Sequence, residues 1–520
     1  MLILLTFFLL VLSAAAVIII RLMQPEFRFA WLVTASGVLL AWVSIWFWKF
    51  VTPLTLRLPA WRPETLFSSV PVFVADGIAW AYGLALTTLV FSTLLTAVAR
   101  AGFPQLLAWA VTIGLSAIGL LAVLAHNPFT LILIWTALDF TELILQLRSV
   151  DEPRLNQRAV TALAVRMGGT GVLMWASLVS LASGTRMDFE NTPLQAEIYM
   201  LLAAGLRLGI FPLHLPFSAE SGLRRGFGTS LRLVSAASSL VLLARISPSS
   251  VASPLTPFLL ALTALAALYG SWMWLTTNND LNGRPFWLLG MGALSVASAL
   301  RGNPLGSAAW GITLVLAGTP LFLTSAQHSQ LKKLLLAGAW GISALPFSLT
   351  ASGWQSGSST AWGFWPFFIL AQSLLIGGYV RHALRPSKGS LQYQPLWVKN
   401  LYAAGIVLPL LMLFLLGLWG WPGAFLVGNW PASLAAVLLS GGLLWVWPRL
   451  KIPAPRVHWV RPSQATSLDK LYQSLAAIYN VAGSAVRAFS LLLEGDGGIL
   501  WTLIFLIIFA SILATGGTAP

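Results

Sequence analysis

Ionisable side chains inside long apolar runs are the residues of this sequence that could do chemistry. The run NPFTLILIWTALDFTELILQLR holds Asp139 and Glu142, three residues apart and so on roughly one face of a helix. Further along, GLRLGIFPLHLPFSAE holds Arg207 and His214, and SLRLVSAASSLVLLAR holds Arg232. Charges inside a membrane are costly and usually functional, so these residues predict either a hydrated ion path or buried ion pairs.

Both interpretations are open at this point. In the first, a carboxylate titrates beside a fixed cation and His214 relays protons. In the second, Asp139 pairs with Arg207 or Arg232 and only joins helices. Glu142 could then simply reach the membrane surface, and His214 could be a hydrogen-bonded structural residue. Arginine stays protonated, so the two arginines can set a field but cannot relay protons.

Long helices must position these side chains, because the composition excludes a water-soluble globule. The 520 residues are 58% hydrophobic and 9% charged. About sixteen apolar runs are long enough to cross a bilayer core of about 30 Å as a helix. They lie near 1–21, 29–50, 77–99, 104–125, 128–147, 159–183, 194–215, 228–246, 255–276, 285–301, 306–325, 333–352, 361–380, 401–421, 430–448 and 497–515.

The net charge of +15 mostly indicates how the chain is oriented in the membrane and does not predict a nucleic-acid partner. Lys and Arg concentrate in the loops after odd-numbered helices. By the positive-inside rule those loops are cytoplasmic and both termini face outward. We expect a multi-pass protein of a bacterial-type inner, cytoplasmic membrane with a retained first helix.

No cofactor is expected in this chain. Cysteine is absent, which excludes disulfides, thiolate metal sites and iron–sulfur clusters held by this chain. No nucleotide-binding loop occurs, and the scattered histidines lack the spacing of metal ligands.

Two further features concern helix shape. Pro212 and Pro346 predict breaks in the seventh and twelfth spans, and broken helices tend to line polar paths because the freed carbonyl needs a partner. Before the last span, apolar residues from Leu468 to Ala482 recur at helical spacing. They predict an amphipathic helix lying along the membrane surface or along a neighbouring subunit.

Several segments resemble the antiporter-like membrane subunits shared by respiratory complex I, membrane-bound hydrogenases and multi-subunit cation/proton antiporters. They are, in chain order, VADGIAWAY, NPFTLILIWTALDFTELIL, GLRLGIFPLHLPFSAE with SLRLVSAASSLVLLAR, ALYGSWMWLTTNNDLNGRPFWLLGMGALSVA and GISALPFSLTASG. The resemblance implies an all-α polytopic fold with two inverted five-helix repeats, broken helices 7 and 12, and a C-terminal lateral amphipathic helix.

The resemblance also implies a division of the chain. It predicts three N-terminal helices in 1–100, a first repeat in 101–246, a second repeat in 254–385, helices 14 and 15 in 386–450, a lateral segment in 451–496 and a final helix in 497–520.

In the family, Glu and Lys residues form a chain across the membrane, and this sequence departs from it at every matched position. The helix 5 glutamate falls on Thr136, the helix 7 lysine on Arg207, the helix 8 Lys or His on Arg232, the helix 11 lysine near Trp310, and the helix 12 Lys or Glu on Gln355. None of these side chains can pass on a proton. Asp139, Glu142 and His214 remain as titratable candidates.

The resemblance implies a proton-translocating, or formerly translocating, subunit of a larger energy-converting complex, such as a complex I-like quinone oxidoreductase. Its partners would be other membrane subunits and lipid, with no chemistry of its own. Two alternatives stay open. The chain could be a structural subunit that conducts nothing, or a membrane subunit of a transporter for another ion or inorganic carbon, in which Arg207 and Arg232 attract an anion.

Overall fold

The structure is a computed structural model, and it describes residues 1–446 with short gaps. The gaps are 25–26, 28, 60–69, 100–105, 150–152, 186–187, 190–191, 216–222, 247–252, 328, 356–362, 386–388, 392 and 425–429. The predicted lateral segment and final helix, at 451–520, lie outside the described residues.

Helices make up nearly all of the described chain. The first eleven are α1 (Leu2–Met23), α2 (Ala30–Val51), α3 (Gly77–Ala97), α4 (Leu106–Leu124), α5 (Pro128–Ser149), α6 (Pro153–Ala182), α7 (Leu194–Leu208), α8 (Arg225–Leu243), α9 (Thr256–Thr276), α10 (Asp280–Leu300) and α11 (Pro304–Leu323). The others are α12 (Ser329–Leu336), α13 (Gly338–Ile342), α14 (Trp365–Ala383), α15 (Leu396–Leu415) and α16 (Trp430–Val446). Ten helices within the described ranges are long and apolar enough to cross a membrane.

Short strands join some of the loops. β1 (Leu54–Arg57) pairs antiparallel with β2 (Val72–Ala75), directly ahead of α3. β3 (Ala326–Gln327) runs parallel to β4 (Gly389–Ser390) and so ties the loop after α11 to the loop after α14. Both pairs satisfy loop backbone groups and leave the all-α architecture unchanged.

Side-chain caps mark where several helices begin. The first N–H groups of a helix lack partners within it, so a preceding side-chain oxygen that accepts from one of them stabilises the start. Asp76 accepts from the Ala79 N–H at 2.7 Å ahead of α3, and Asn303 accepts from the Gly306 N–H at 2.8 Å ahead of α11. The sequence thereby fixes the start of two helices that lie at the centre of the bundle.

The bundle has a buried centre and an apolar exterior. Nearly every residue of α3, α8, α10 and α11 is buried. In contrast, α1 and α2 bury only part of their surface and expose large side chains such as Phe8, Leu12 and Phe47. Apolar exposure of this extent suits contact with lipid. Polar residues of the central helices are consequently shielded from both lipid and water.

The seventh span is broken as expected, but the helix ends four residues before Pro212. α7 ends at Leu208, and Gly209 takes a left-handed conformation with φ 80°, which glycine adopts without steric cost. The carbonyl of Gly205 accepts from the N–H groups of Ile210 and Phe211 at 2.8 and 3.3 Å. The backbone of the break therefore supplies donors to the Gly205 carbonyl, which would otherwise lack a partner where the helix ends.

The twelfth span is also broken, around Pro346. α13 ends at Ile342, and a single 3₁₀ turn, Ala351–Trp354, follows the irregular segment. The Thr350 hydroxyl donates to the Gly341 carbonyl at 2.6 Å and accepts from the Ala344 N–H at 3.1 Å. One side chain thus replaces two helical hydrogen bonds, as a buried break requires.

Candidate functional site

Five charged side chains lie together inside the bundle, and we call them the arginine–carboxylate cluster. They are Asp139 and Glu142 from α5, Arg166 from α6, Arg207 from α7 and Arg232 from α8. Each is at most 2% exposed. The cluster holds three permanent cations and two carboxylates, in a place where charge is expensive unless paired.

The guanidinium group of Arg207 donates hydrogen bonds from all three of its nitrogens and packs on an aromatic ring. Its Nη1 and Nη2 donate to the two carboxylate oxygens of Asp139 at 2.6 and 2.8 Å, a bidentate geometry specific to arginine. Nε donates to the Ser239 hydroxyl at 3.2 Å, and Nη1 also reaches the Thr170 hydroxyl at 3.2 Å. The Trp135 ring lies under the guanidinium, 4.2 Å away.

Local sequence features prepare the place that Arg207 occupies. Gly169 of α6 faces the arginine stem, where a Cβ would lie 2.6 Å from Arg207 Cγ. Glycine therefore lets α6 and α7 approach closely enough for Nη1 to reach the Arg166 carbonyl at 3.2 Å. Trp135 is fixed in turn, because its Nε1 donates to the Ser238 carbonyl of α8 at 3.1 Å.

Glu142 is bound by two other arginines. Its Oε1 accepts from Arg232 Nη1 and from Gln146 Nε2, both at 2.8 Å. Its Oε2 contacts Arg166 Nη1, and Arg166 Nε lies 3.7 Å from Asp139 Oδ1. The interpretation that Glu142 reaches the membrane surface is therefore wrong, since α6 and α8 each cover it with an arginine.

Arg166 is the member that the sequence analysis missed. It lies seven residues inside the apolar run at 159–183, after the basic loop that precedes α6. The structure shows that it bridges both carboxylates. The sequence did contain a signal for Arg166. A lone charge within a predicted span, followed by the pair Gly168–Gly169, marks a helix face that another helix can approach closely.

His214 lies apart from these contacts. Its Nδ1 is 2.6 Å from the Pro212 carbonyl, so its ring is fixed within the turn that follows the break in α7. Thr136, which the resemblance matches to a glutamate, donates its hydroxyl to the Ile132 carbonyl at 2.8 Å within α5. The carboxylate that meets Arg207 comes from Asp139, one turn further along the helix.

The second half of the bundle has no carboxylate at the family positions. Trp310 is buried in α11, and the backbone carbonyl of Gln355 accepts from Asn303 Nδ2 at 3.2 Å. Close by, the buried Arg301 donates to the carbonyls of Gly353 and Ala297 at 2.7 and 3.1 Å. Its guanidinium also lies 5.2 Å from the Trp354 ring. The positively charged side chain of Arg301 is thus bound by neutral groups, namely backbone carbonyls and an aromatic ring.

The described side chains offer no grouping of three or more His, Asp or Glu residues that could hold a metal ion. In chemical terms, the arginine–carboxylate cluster can join α5, α6, α7 and α8 and can set a positive field. Its arginines can bind anions, but they cannot donate protons.

Comparison with known proteins supports the fold. No protein-family model and no curated protein matches the sequence. Among solved structures, the chain is similar to a chain in the structure of the Mrp complex from Dietzia sp. DQ12-45-1b, with a TM-score of 0.72 and 14% identity. The match covers 100% of this chain and 63% of the neighbour's chain. The all-α polytopic antiporter-like fold expected from the sequence is therefore confirmed.

Proposed function

We propose that this chain is a non-conducting, antiporter-like membrane subunit of a hetero-oligomeric complex. One observation carries the proposal: both intramembrane carboxylates of the arginine–carboxylate cluster are paired with arginines. The similarity to a chain of the Mrp complex supports assembly with other subunits. This assigns the chain to the second of the three functions left open by the sequence.

A proton relay needs carriers that release and regain their protons in turn. Lysine does this when it is desolvated, but arginine keeps its proton. By the resemblance, Arg207 and Arg232 stand where the family has lysine or histidine. The proposed subunit has therefore lost the side chains of α7 and α8 that would carry protons. The cluster instead stabilises the contacts among four helices.

The carboxylates are also poorly placed to replace those stations. Asp139 uses both oxygens in its pair with Arg207, and Glu142 contacts Arg166 and Arg232. A carboxylate that carried protons would have to leave its arginine during each cycle. Breaking a buried pair of this kind typically costs about 3–5 kcal/mol.

A second candidate function has one observation in its favour. Among the residues that the structure describes, the cluster has three arginines and two carboxylates, and buried arginines favour an anion. This supports the alternative of an anion or inorganic-carbon transporter subunit. The redox-complex host, the inner-membrane location and the outward termini stay predictions, as do the segment boundaries drawn along the chain.

The test measures proton flux through the complex purified from native membranes and reconstituted in vesicles. The double variant Asp139→Asn with Arg207→Gln removes one carboxylate and its arginine together, so neither is left without the other. We expect the assembled double variant to retain the proton flux of the unchanged complex. Loss of flux with assembly intact would overturn the proposal that this subunit conducts nothing. An anion-dependent flux that disappears in Arg207→Gln would instead support the transporter.

A further inference from the structure

A second charged group lies at one end of the bundle, where α8 and α10 begin and α14 ends. We call it the basic cleft. Its members are Arg225, Asp280, Arg284, Arg381 and Arg385. Among the residues that the structure describes, Arg225 and Arg385 both interact with the carboxylate of Asp280, at a site that the proposed function does not use.

Asp280 is shared between two of these arginines. Arg225 Nη1 and Nη2 donate to its two oxygens at 2.5 and 3.4 Å, and Arg385 Nη1 lies 4.0 Å from Oδ1. Burial lowers the pKa of the Arg385 guanidinium, Asp280 raises it, and the neighbouring Arg225 lowers it again. The two arginines therefore repel each other across one carboxylate.

The cleft is partly open to its surroundings. The side chains of Arg225, Asp280 and Arg385 are 21%, 15% and 31% exposed. One turn further along α10, Arg284 is fully buried and its Nη1 packs on Gly228 of α8, where a Cβ would lie 2.6 Å away. The positive charges of Arg225 and Arg385 are thus accessible from outside the bundle.

Exposed aromatic residues on α9 support a position of the cleft near the lipid headgroups. Arg381 donates to the carbonyl of Leu275, in the last turn of α9. In the preceding turns of α9, Tyr269 and Trp272 are each 42% exposed. Tyr and Trp side chains are enriched at the interface between the hydrocarbon core and water. Leu384, exposed between Arg381 and Arg385, adds an apolar surface next to the charges.

We propose that the basic cleft binds the phosphate of an anionic phospholipid, with Arg225 and Arg385 contacting the phosphate oxygens. The guanidinium group matches phosphate in a bidentate geometry, and basic pockets between membrane helices recognise lipid headgroups. The acyl chains would lie along the apolar surfaces of α9 and α14. The bound lipid then relieves the repulsion between the two arginines and holds three helix ends together.

The experiment uses the full-length protein, delipidated in an uncharged detergent. The midpoint of thermal unfolding is measured while short-chain phosphatidylglycerol is added. Parallel titrations use phosphatidylcholine with the same acyl chains and inorganic phosphate. We expect a saturable rise of the midpoint with phosphatidylglycerol alone. In Arg385→Gln the half-saturating concentration should rise about fivefold, the usual contribution of one arginine at an anionic surface.

Two variants serve as matched controls. Arg21 is exposed at the end of α1, so Arg21→Gln removes one arginine from another helix end and should leave the titration unchanged. Arg385→Lys keeps the charge and should retain most of the effect, which guards against misfolding of the glutamine variant. Equal shifts with phosphatidylcholine, an equal shift with inorganic phosphate, or an unchanged titration in a folded Arg385→Gln would each overturn the proposal.

Discussion

Arg207 and Asp139 are separated by 68 residues in sequence and meet through two parallel hydrogen bonds of 2.6 and 2.8 Å inside the bundle. The pair joins α7, at its last turn before the break, to the middle of α5. It also accounts for the charge just ahead of the helix break. The arginine is placed there to bind α5, α6 and α8 at the point where its own helix ends.

Replacing Arg207 by lysine should destabilise the protein although the charge is kept. Lysine offers a point charge and loses the bidentate pair and the contact with Trp135, so we expect a loss of about 1.5–3 kcal/mol. Arg207→Gln should cost more, about 3–5 kcal/mol, because it leaves Asp139 without its main partner. Unfolding of the purified variants measures both. Equal stability of the lysine variant and the unchanged protein would contradict the bidentate role.

The two members of that pair should show coupled effects. Asp139→Asn and Arg207→Gln each leave the other member of the pair without its main counter-charge, whereas the double variant removes both together. The double variant should therefore lose less stability than the two single losses added together, by about 0.5–3 kcal/mol. Additive losses in a double-mutant cycle would mean that the two side chains act independently.

Removing Arg166 should be tolerated better than removing Arg207. In Arg166→Gln each carboxylate still keeps one arginine, since Asp139 retains Arg207 and Glu142 retains Arg232. Both variants leave two arginines and two carboxylates, but only Arg207→Gln removes the closest partner of Asp139, so we expect a smaller loss of unfolding free energy in Arg166→Gln. A larger loss would show that the bridge through Arg166 dominates the cluster. Both variants can be compared in the same denaturation assay.

Gly169→Ala should disturb the cluster by crowding. The added methyl group would lie 2.6 Å from Arg207 Cγ and 3.0 Å from the Ala203 carbonyl, and overpacking of this kind costs about 1–3 kcal/mol. Gly171→Ala, two residues along the same helix, is the matched control because nothing lies within 4 Å of its Cβ position. We expect Gly171→Ala to be neutral or slightly stabilising. Similar unfolding midpoints for the two variants would exclude close packing as the reason for Gly169.

Most members of the arginine–carboxylate cluster could be predicted from the sequence, but which arginine pairs with which carboxylate could not. A charge within an apolar run is visible in one dimension, which is how Asp139, Glu142, Arg207 and Arg232 were found. Whether Asp139 would meet Arg207 or Arg232 depends on the rotation and depth of separate helices. Those are set by tertiary packing, including the approach that Gly169 permits.

The helix breaks were predicted for a local reason, since proline cannot donate a backbone hydrogen bond. How each break satisfies its free carbonyls was not predictable. In the twelfth span that role falls to Thr350, four residues after Pro346 and otherwise an ordinary residue in the sequence. The family resemblance pointed to the substituted positions, but Arg301 lies at none of them and its location beside Gln355 appears only in three dimensions.

The cluster also constrains how the chain is made. Asp139 is synthesised 68 residues before Arg207, and Glu142 is synthesised 90 residues before Arg232. At a rate of chain synthesis of about 5–20 residues per second, several seconds pass between the synthesis of α5 and that of those partners. During that time each unpaired charge opposes membrane insertion by about 2.5–3.5 kcal/mol. Arg166 of α6 is the first member of the cluster to follow both carboxylates, and so it is the cation that can accompany them into the bilayer.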